Sequence, residues 1–112
     1  MRAWQINLEQ HLGGGEFYTA FLTRALSRQG APTTLVVHKR AQFWSGLELA
    51  TDTEILRVER AEDLLEKLPR ERCWLLAHGQ LPACLLADSR HMRSAIAHMP
   101  PQGRDPRASA TP

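Results

Sequence analysis

The chain has 112 residues, a formal net charge of +2 and a hydrophobic fraction of 43%, so it is long enough for one domain with a modest core. Its basic residues are scattered among acids, whereas nucleic-acid binding calls for a basic stripe, and we therefore expect no nucleic-acid partner. No apolar run approaches the roughly 20 residues that span a bilayer, and the N-terminus lacks the apolar segment of a signal peptide, so we expect a cytoplasmic protein without a transmembrane segment.

The first elements in chain order are a strand, a glycine turn and a helix. Apolar and polar side chains alternate from Ala3 to Leu8 and predict the first strand. The three glycines that follow permit backbone angles that other residues resist. From Glu16 to Gln29, aromatic and aliphatic residues recur with helical spacing and predict the buried face of a helix, with Thr19 and Thr23 on the opposite side.

Further strands and helices alternate along the rest of the chain. Apolar and β-branched runs predict strands at Thr33–His38, Glu54–Val58, Cys73–Ala77 and Ser94–Met99. Helices are predicted at Ala61–Leu68 and Pro82–Met92. This alternation predicts an α/β fold, an incomplete Rossmann-like parallel sheet with flanking helices, over residues 1–100. Residues 101–112 lack periodic apolar positions and are expected to form a disordered tail.

The glycine turn is the leading candidate for a ligand site. Gly13, Gly14 and Gly15 let a ligand approach the backbone, and the start of the helix directs N–H groups and a partial positive charge at an anion. Ligands of open α/β sheets also bind at the carboxyl ends of strands. A tight turn without a ligand would account equally well for the same glycines. Glu16 either contacts an acceptor or only favours the helix N-terminus by its charge.

A dinucleotide site is one alternative for this turn. The G-x-G-x-x-G pattern places Tyr18 where its third glycine belongs. The acid expected after the second strand is absent, because Val37 is followed by His38, Lys39 and Arg40. Basic residues at that position suit the 2′-phosphate of NADP, so an NADP-binding module stays open.

A second set of residues resembles a known family. The turn from Gly13 to Glu16, the amphipathic helix through Leu26, then Gly30 and the strand Thr33–His38 are similar to the opening of retaining GT-B glycosyltransferases, the family 4-like or group 1 enzymes. Leu75-Leu76-Ala77-His78-Gly79 resembles the strand whose terminal His lines their cleft. Ala95-Ile96-Ala97-His98-Met99-Pro100 resembles the next strand, whose terminal His faces the transferred sugar. The resemblance spans residues 2–100.

The resemblance implies a role for each matched residue. Gly14 and Gly15 would present backbone N–H groups to the phosphate of a nucleotide-sugar donor, His78 would line the cleft, and His98 would be the catalytic residue that contacts the donor sugar. The acceptor would be a sugar or a lipid, a role compatible with peripheral membrane contact. Members of the family carry a second, nucleotide-binding domain with paired acids. We therefore expect a partial N-terminal domain that needs no cofactor and is inactive alone.

The histidines are also compatible with purely structural roles. His78 and His98 each end an apolar strand, where nearby backbone groups can satisfy an imidazole. A structural zinc site would need closely spaced pairs of ligands. The candidate ligands do not form such pairs, so we expect no metal site; they are Cys73, His78, Cys84, His91 and His98. The alternative to a glycosyltransferase is a small non-catalytic α/β module that binds NADP or another protein.

Overall fold

The computed structural model describes residues 2–69, 73–79 and 92–96. They form a parallel five-stranded sheet with the order β3-β2-β1-β4-β5. The elements are β1 Ala3–Asn7, α1 Gly14–Arg28, β2 Thr33–His38, β3 Glu54–Val58, β4 Trp74–His78 and β5 Met92–Ile96, with 3-10 helices at Gln42–Gly46 and Ala61–Leu64. This arrangement confirms the predicted α/β fold and is that of an incomplete Rossmann-like sheet.

Several element boundaries differ from the predicted ones. The helix α1 begins at Gly14, two residues early, so two of the three glycines belong to its first turn. β4 lies one residue later than predicted and includes His78, while β5 begins at Met92 and ends at Ile96. Residues 80–91, predicted to be mostly helical, and 97–112, with His98 and the tail, lie outside the described part of the chain.

The helix predicted over Ala61–Leu68 is wrong in type and length. A 3-10 helix covers Ala61–Leu64 and is followed by turns. Asp63 Oδ2 accepts the Arg60 N–H at 3.1 Å and closes the start of this segment. The short segment already buries Leu64 and Leu68 against the sheet, and so few residues gain little from a regular α-helix.

The two sides of the sheet differ in polarity. One side carries a continuous apolar cluster from β1, β2, β3, β4 and the segment between β3 and β4: Trp4, Ile6, Val36, Val58, Leu64, Leu68, Cys73 and Leu75. The other side faces α1 and the first 3-10 helix. There, β2 and the 3-10 helix supply a second cluster of Leu35, Val37, Ala41 and Trp44. Beneath α1, however, β1 presents the buried polar residues Gln5 and Asn7.

The orientation of α1 is the opposite of the predicted one. The helix buries Glu16, Thr19, Ala20 and Thr23, which are spaced at i, i+3, i+4 and i+7. The aromatic residues expected in the core are instead exposed: Phe17 by 57%, Tyr18 by 42% and Phe21 by 46%.

Hydrogen bonds explain why the threonine face is the buried one. Thr19 Oγ1 accepts from Asn7 Nδ2 at 2.9 Å and donates to the Gly15 carbonyl at 2.8 Å. Thr23 Oγ1 accepts the Ala50 N–H at 3.0 Å. The polar side chains of β1 would be costly to bury against aromatic rings that offer no partner. Asn7 finds its partners in Glu16 and Thr19 of α1, whereas Gln5 bonds Thr33 of β2 and His78 of β4. The need of Asn7 for polar partners therefore favours this rotation of the helix.

Candidate functional site at the carboxyl edge of the sheet

The strand order places two of the predicted site features, the glycine turn and His78, at the same edge of the sheet. From β1 the chain crosses to β2 on one side, and β4 pairs with the other side of β1. The point where the strand order reverses therefore lies between β1 and β4. In open α/β sheets, ligands bind outside the carboxyl ends of the strands at this point. The glycine turn follows β1 and His78 ends β4, so both lie at this edge.

The glycine turn forms an open start to α1. Gly13 is the N-terminal cap residue, with an extended backbone (φ −159°) and no side chain to cap the helix. Its carbonyl accepts the N–H groups of Glu16 at 3.2 Å and Phe17 at 3.4 Å. The first N–H groups of an α-helix have no intrahelical acceptor. This turn therefore directs backbone donors and the positive end of the helix dipole toward the edge of the sheet.

The fold itself does not require glycine at position 14. A Cβ built at Gly14 meets no atom within 4 Å, and Gly14 does not have a positive φ. At Gly13, an added Cβ would lie 3.4 Å from Glu16 Oε1, an ordinary contact. By contrast, Gly30 (φ +82°) and Gly79 (φ +94°) have angles that favour glycine. The space at position 14 is therefore open to a ligand that approaches the backbone.

Glu16 faces the protein interior. It is buried, and its Oε2 accepts a hydrogen bond from Asn7 Nδ2 at 3.2 Å. The same amide group donates to Thr19 Oγ1, and Asn7 Oδ1 accepts the Glu9 N–H at 3.1 Å. Asn7 thus connects Glu9, in the loop between β1 and α1, to Glu16 and Thr19 in the first turns of α1. This geometry favours Glu16 as an anchor of the glycine turn over Glu16 as a ligand of the acceptor.

His78 belongs to the same polar layer. Its Nε2 donates to Gln5 Oε1 at 2.6 Å, and Gln5 Nε2 donates to Thr33 Oγ1 at 3.4 Å. The ring of Tyr18 meets the His78 ring edge-on, with centroids 6.3 Å apart. Because Tyr18 lies in the second turn of α1, this contact links the end of β4 to the helix that carries the glycine turn. His78 is half-buried and oriented by these neighbours.

Sequence reasoning missed the residues that organise this edge. Periodicity treats Gln5 and Asn7 only as the polar half of an alternating strand, yet both are fully buried. Central strands of parallel sheets are covered on both faces. A polar residue in such a strand needs a buried partner, and that requirement is the signal in the sequence that could have found them. His98, the predicted catalytic residue, lies outside the described residues.

The basic residues after β2 are engaged with the protein. Lys39 Nζ forms an ion pair with Glu59 Oε1 at 3.1 Å, and His38 Nδ1 accepts the Arg40 N–H at 3.0 Å. The hydrogen bond and charge of Lys39, with smaller contributions from the charges of Arg40 and Arg60, hold the pKa of the exposed Glu59 carboxyl below its usual range. A 2′-phosphate would have to compete with this carboxylate for Lys39, which weakens the NADP alternative.

Within the described residues, no three His, Cys, Asp or Glu side chains converge in a way that could hold a metal ion. None of the described helices has the length and apolar character needed to cross a membrane. Comparison of the chain with family models, with curated proteins and with solved structures gave no match in any of the three.

Proposed function

We propose that this chain supplies one wall of a nucleotide-sugar glycosyltransferase cleft, with the glycine turn binding the donor phosphate. The observation that carries the proposal is the open start of α1 at the reversal of strand order. Gly14 lies there with no internal requirement for glycine. Backbone N–H groups in a fixed turn can stabilise the charge that develops on a departing nucleoside diphosphate without reorganising during the reaction.

The surrounding residues have distinct roles in this proposal. Asn7 and Glu16 hold the turn in its open shape through their buried hydrogen bond. His78, oriented by Gln5 and Tyr18, lines the neighbouring part of the cleft. His98 keeps the role that the family resemblance implies, contact with the transferred sugar.

Binding of nucleoside diphosphate to the turn can be tested directly by NMR. Uridine, guanosine and adenosine diphosphates, and their sugar conjugates, are titrated into the isotope-labelled chain. We expect weak binding, with the largest shifts at the amides of Gly14 and Gly15. In Gly14→Val the shifts are lost, because the side chain occupies the space of the ligand, while the melting temperature changes little because the added Cβ meets no atom within 4 Å.

A matched control separates ligand loss from backbone effects. A Cβ at Gly46 also meets no atom within 4 Å, and Gly46 lies in the 3-10 helix after β2 and not in the turn between β1 and α1. Gly46→Val should bind as the wild type does. Equal shifts in Gly14→Val and wild type, or no shift with any of these nucleotides, would contradict the phosphate role.

We also expect these 112 residues to show no sugar transfer on their own. Transfer requires donor and acceptor to be held together in the transition state, and the glycine turn with His78 contacts only one part of the donor. A radiolabelled transfer assay with several nucleotide-sugars tests this expectation. Micromolar binding together with turnover would mean that the chain builds a complete donor site.

The second candidate function is a non-catalytic binding module. The engagement of Lys39 by Glu59 disfavours its NADP form. The exposed aromatic side chains of α1 favour its protein-binding form. If the chain binds no nucleotide in the NMR titration, this exposed aromatic surface makes the protein-binding module the better interpretation.

A further inference from the structure

The first half of α1 presents aromatic side chains on its outward side. We call this surface the aromatic face, and define it as Phe17, Tyr18 and Phe21, which are 57%, 42% and 46% exposed. The rings of Tyr18 and Phe21 stack, with centroids 6.2 Å apart. Rotating α1 to bury these rings would break the buried hydrogen bonds of its threonine face. The aromatic face is therefore a fixed feature of the fold.

Two arginines continue this surface along the second half of the helix. Four residues share one line of α1, at i, i+4, i+7 and i+11: Phe17, Phe21, Arg24 and Arg28. Arg28 is exposed. Arg24 donates a hydrogen bond to the Glu48 carbonyl, which orients its side chain without removing its charge. The outward side of α1 is therefore aromatic in its first half and cationic in its second.

Acidic side chains do not interrupt this line of the helix. The one acid of α1, Glu16, is buried. Asp52 contacts the helix by accepting a hydrogen bond from Ser27 Oγ at 2.8 Å. Ser27 follows Phe21 by six residues, a spacing that places the two on different sides of an α-helix. The charge on the outward side of α1 is therefore positive, which suits an anionic partner.

We propose that the outward side of α1 docks on an anionic phospholipid surface. The aromatic rings lie at the boundary between headgroups and acyl chains, and the two arginines bind lipid phosphates. Interfacial helices combine aromatic or leucine side chains with lysine or arginine in this way. The long arginine side chains can reach the headgroups from a helix that lies in the plane of the membrane. This inference is independent of the proposed function.

The size and shape of the surface favour a lipid surface over a protein partner. An aromatic side chain buries roughly 150–250 Å², so three half-exposed rings offer about 300 Å². A stable protein complex buries about 800 Å² on each partner. Membrane attachment depends instead on apolar area and on charge, and rings that project from a convex helix need no matching pocket in a lipid surface. We therefore expect weak, reversible membrane binding.

Vesicle flotation of the whole chain tests the proposal. We expect binding to vesicles of equal parts phosphatidylglycerol and phosphatidylcholine, and little binding to phosphatidylcholine alone. Each arginine near an anionic surface contributes a factor of about five in affinity, so Arg28→Gln should weaken binding about fivefold. Phe21→Ser should weaken binding at least about tenfold, because it removes apolar area from the contact.

Matched controls lie in the segment after the second 3-10 helix, which packs on the other side of the sheet from α1. Leu65 is 43% exposed, close to the 46% of Phe21, and Lys67 is an exposed cation. Leu65→Ser and Lys67→Gln remove the same kinds of area and charge and should bind as the wild type does. Melting temperatures within about 3 °C of wild type, expected at exposed positions, show that the variants are folded. Phe21→Gln replaces Phe21→Ser if the latter is unfolded.

A second measurement locates the contact. Phe21→Trp places a fluorophore on the aromatic face, and brominated acyl chains quench a tryptophan only when it reaches the bilayer. We expect quenching of Phe21→Trp above the wild-type background. Leu65→Trp should show no quenching above that background.

Three results would overturn the proposal. They are no binding of the wild type to anionic vesicles, equal binding by the wild type and Phe21→Ser, and equal binding to vesicles with and without phosphatidylglycerol. A wild type that ignores vesicles but forms a dimer in sedimentation equilibrium, lost in Phe21→Ser, would identify a second copy of the chain as the occupant instead.

Discussion

Asn7→Asp is the most informative single change, because it places a second carboxylate against Glu16 without changing the size of the side chain. Asn7 Nδ2 lies 3.2 Å from Glu16 Oε2, and both residues are buried. Two unit charges about 4 Å apart at an effective dielectric constant near 20 repel by about 4 kcal/mol. Loss of the bond that Asn7 donates to Thr19 adds about 1 kcal/mol at any pH.

The repulsion between the two carboxylates of the variant is relieved when one of them is protonated. Keeping that proton at pH 7, about three units above the ordinary titration range of a carboxyl group, costs about 4 kcal/mol. Near pH 4.5, protonating one carboxylate costs less than about 1 kcal/mol. The proton is bound more tightly in the folded variant than in the unfolded one, so stability is retained at low pH and lost as the pH rises.

Urea unfolding, followed by tryptophan fluorescence at pH 4.5 and pH 7, measures the difference. The destabilisation of Asn7→Asp relative to wild type should be about 3 kcal/mol larger at pH 7 than at pH 4.5. Adding Glu16→Gln removes one carboxylate and should abolish this pH-dependent part. An equal cost at both pH values would refute the buried contact, and with it the argument that Asn7 holds the glycine turn.

Three further predictions test other parts of the structure. Thr23→Val should cost about 1–2 kcal/mol in urea unfolding, because the buried hydroxyl accepts a backbone N–H; an unchanged midpoint would contradict the helix orientation. Lys39→Gln should raise the pKa of the Glu59 carboxyl in an NMR titration. A lowered carboxyl pKa stabilises the fold only while the carboxyl is ionised, so the stability difference between wild type and Lys39→Gln should vanish as the pH falls through that pKa. Gly30→Ala should cost about 1–2 kcal/mol through its positive φ, whereas Gly46→Ala should cost less than about 1 kcal/mol.

The sequence alone determined the class of fold and much of its layout. Alternating strands and helices require a parallel sheet, and the bounds of β2 and β3 follow from β-branched and apolar runs that end at turn residues. The position of the glycine turn is equally local, because consecutive glycines interrupt both strand and helix patterns and mark the link between β1 and α1. Each of these features depends on residues close together in the chain.

Tertiary structure decided which side of α1 is buried. The helix has two coherent faces, one aromatic and one of Glu16, Thr19, Ala20 and Thr23. Helical periodicity identifies both faces but cannot choose between them, because the choice depends on the polarity of the strand beneath. Gln5 and Asn7 in β1 need hydrogen-bond partners once covered, and the threonine face supplies a partner for Asn7.

For the candidate site, too, local sequence determines some features and tertiary structure determines others. The glycine turn and His78 can each be named from local sequence, but their common edge depends on the pairing of β1 with β4, which are separated by two other strands in the chain. Strand order arises from how the whole sheet covers its apolar side, a non-local outcome that no short pattern contains. Local sequence therefore identifies the parts of the candidate site, and the packing of the sheet brings them to one edge.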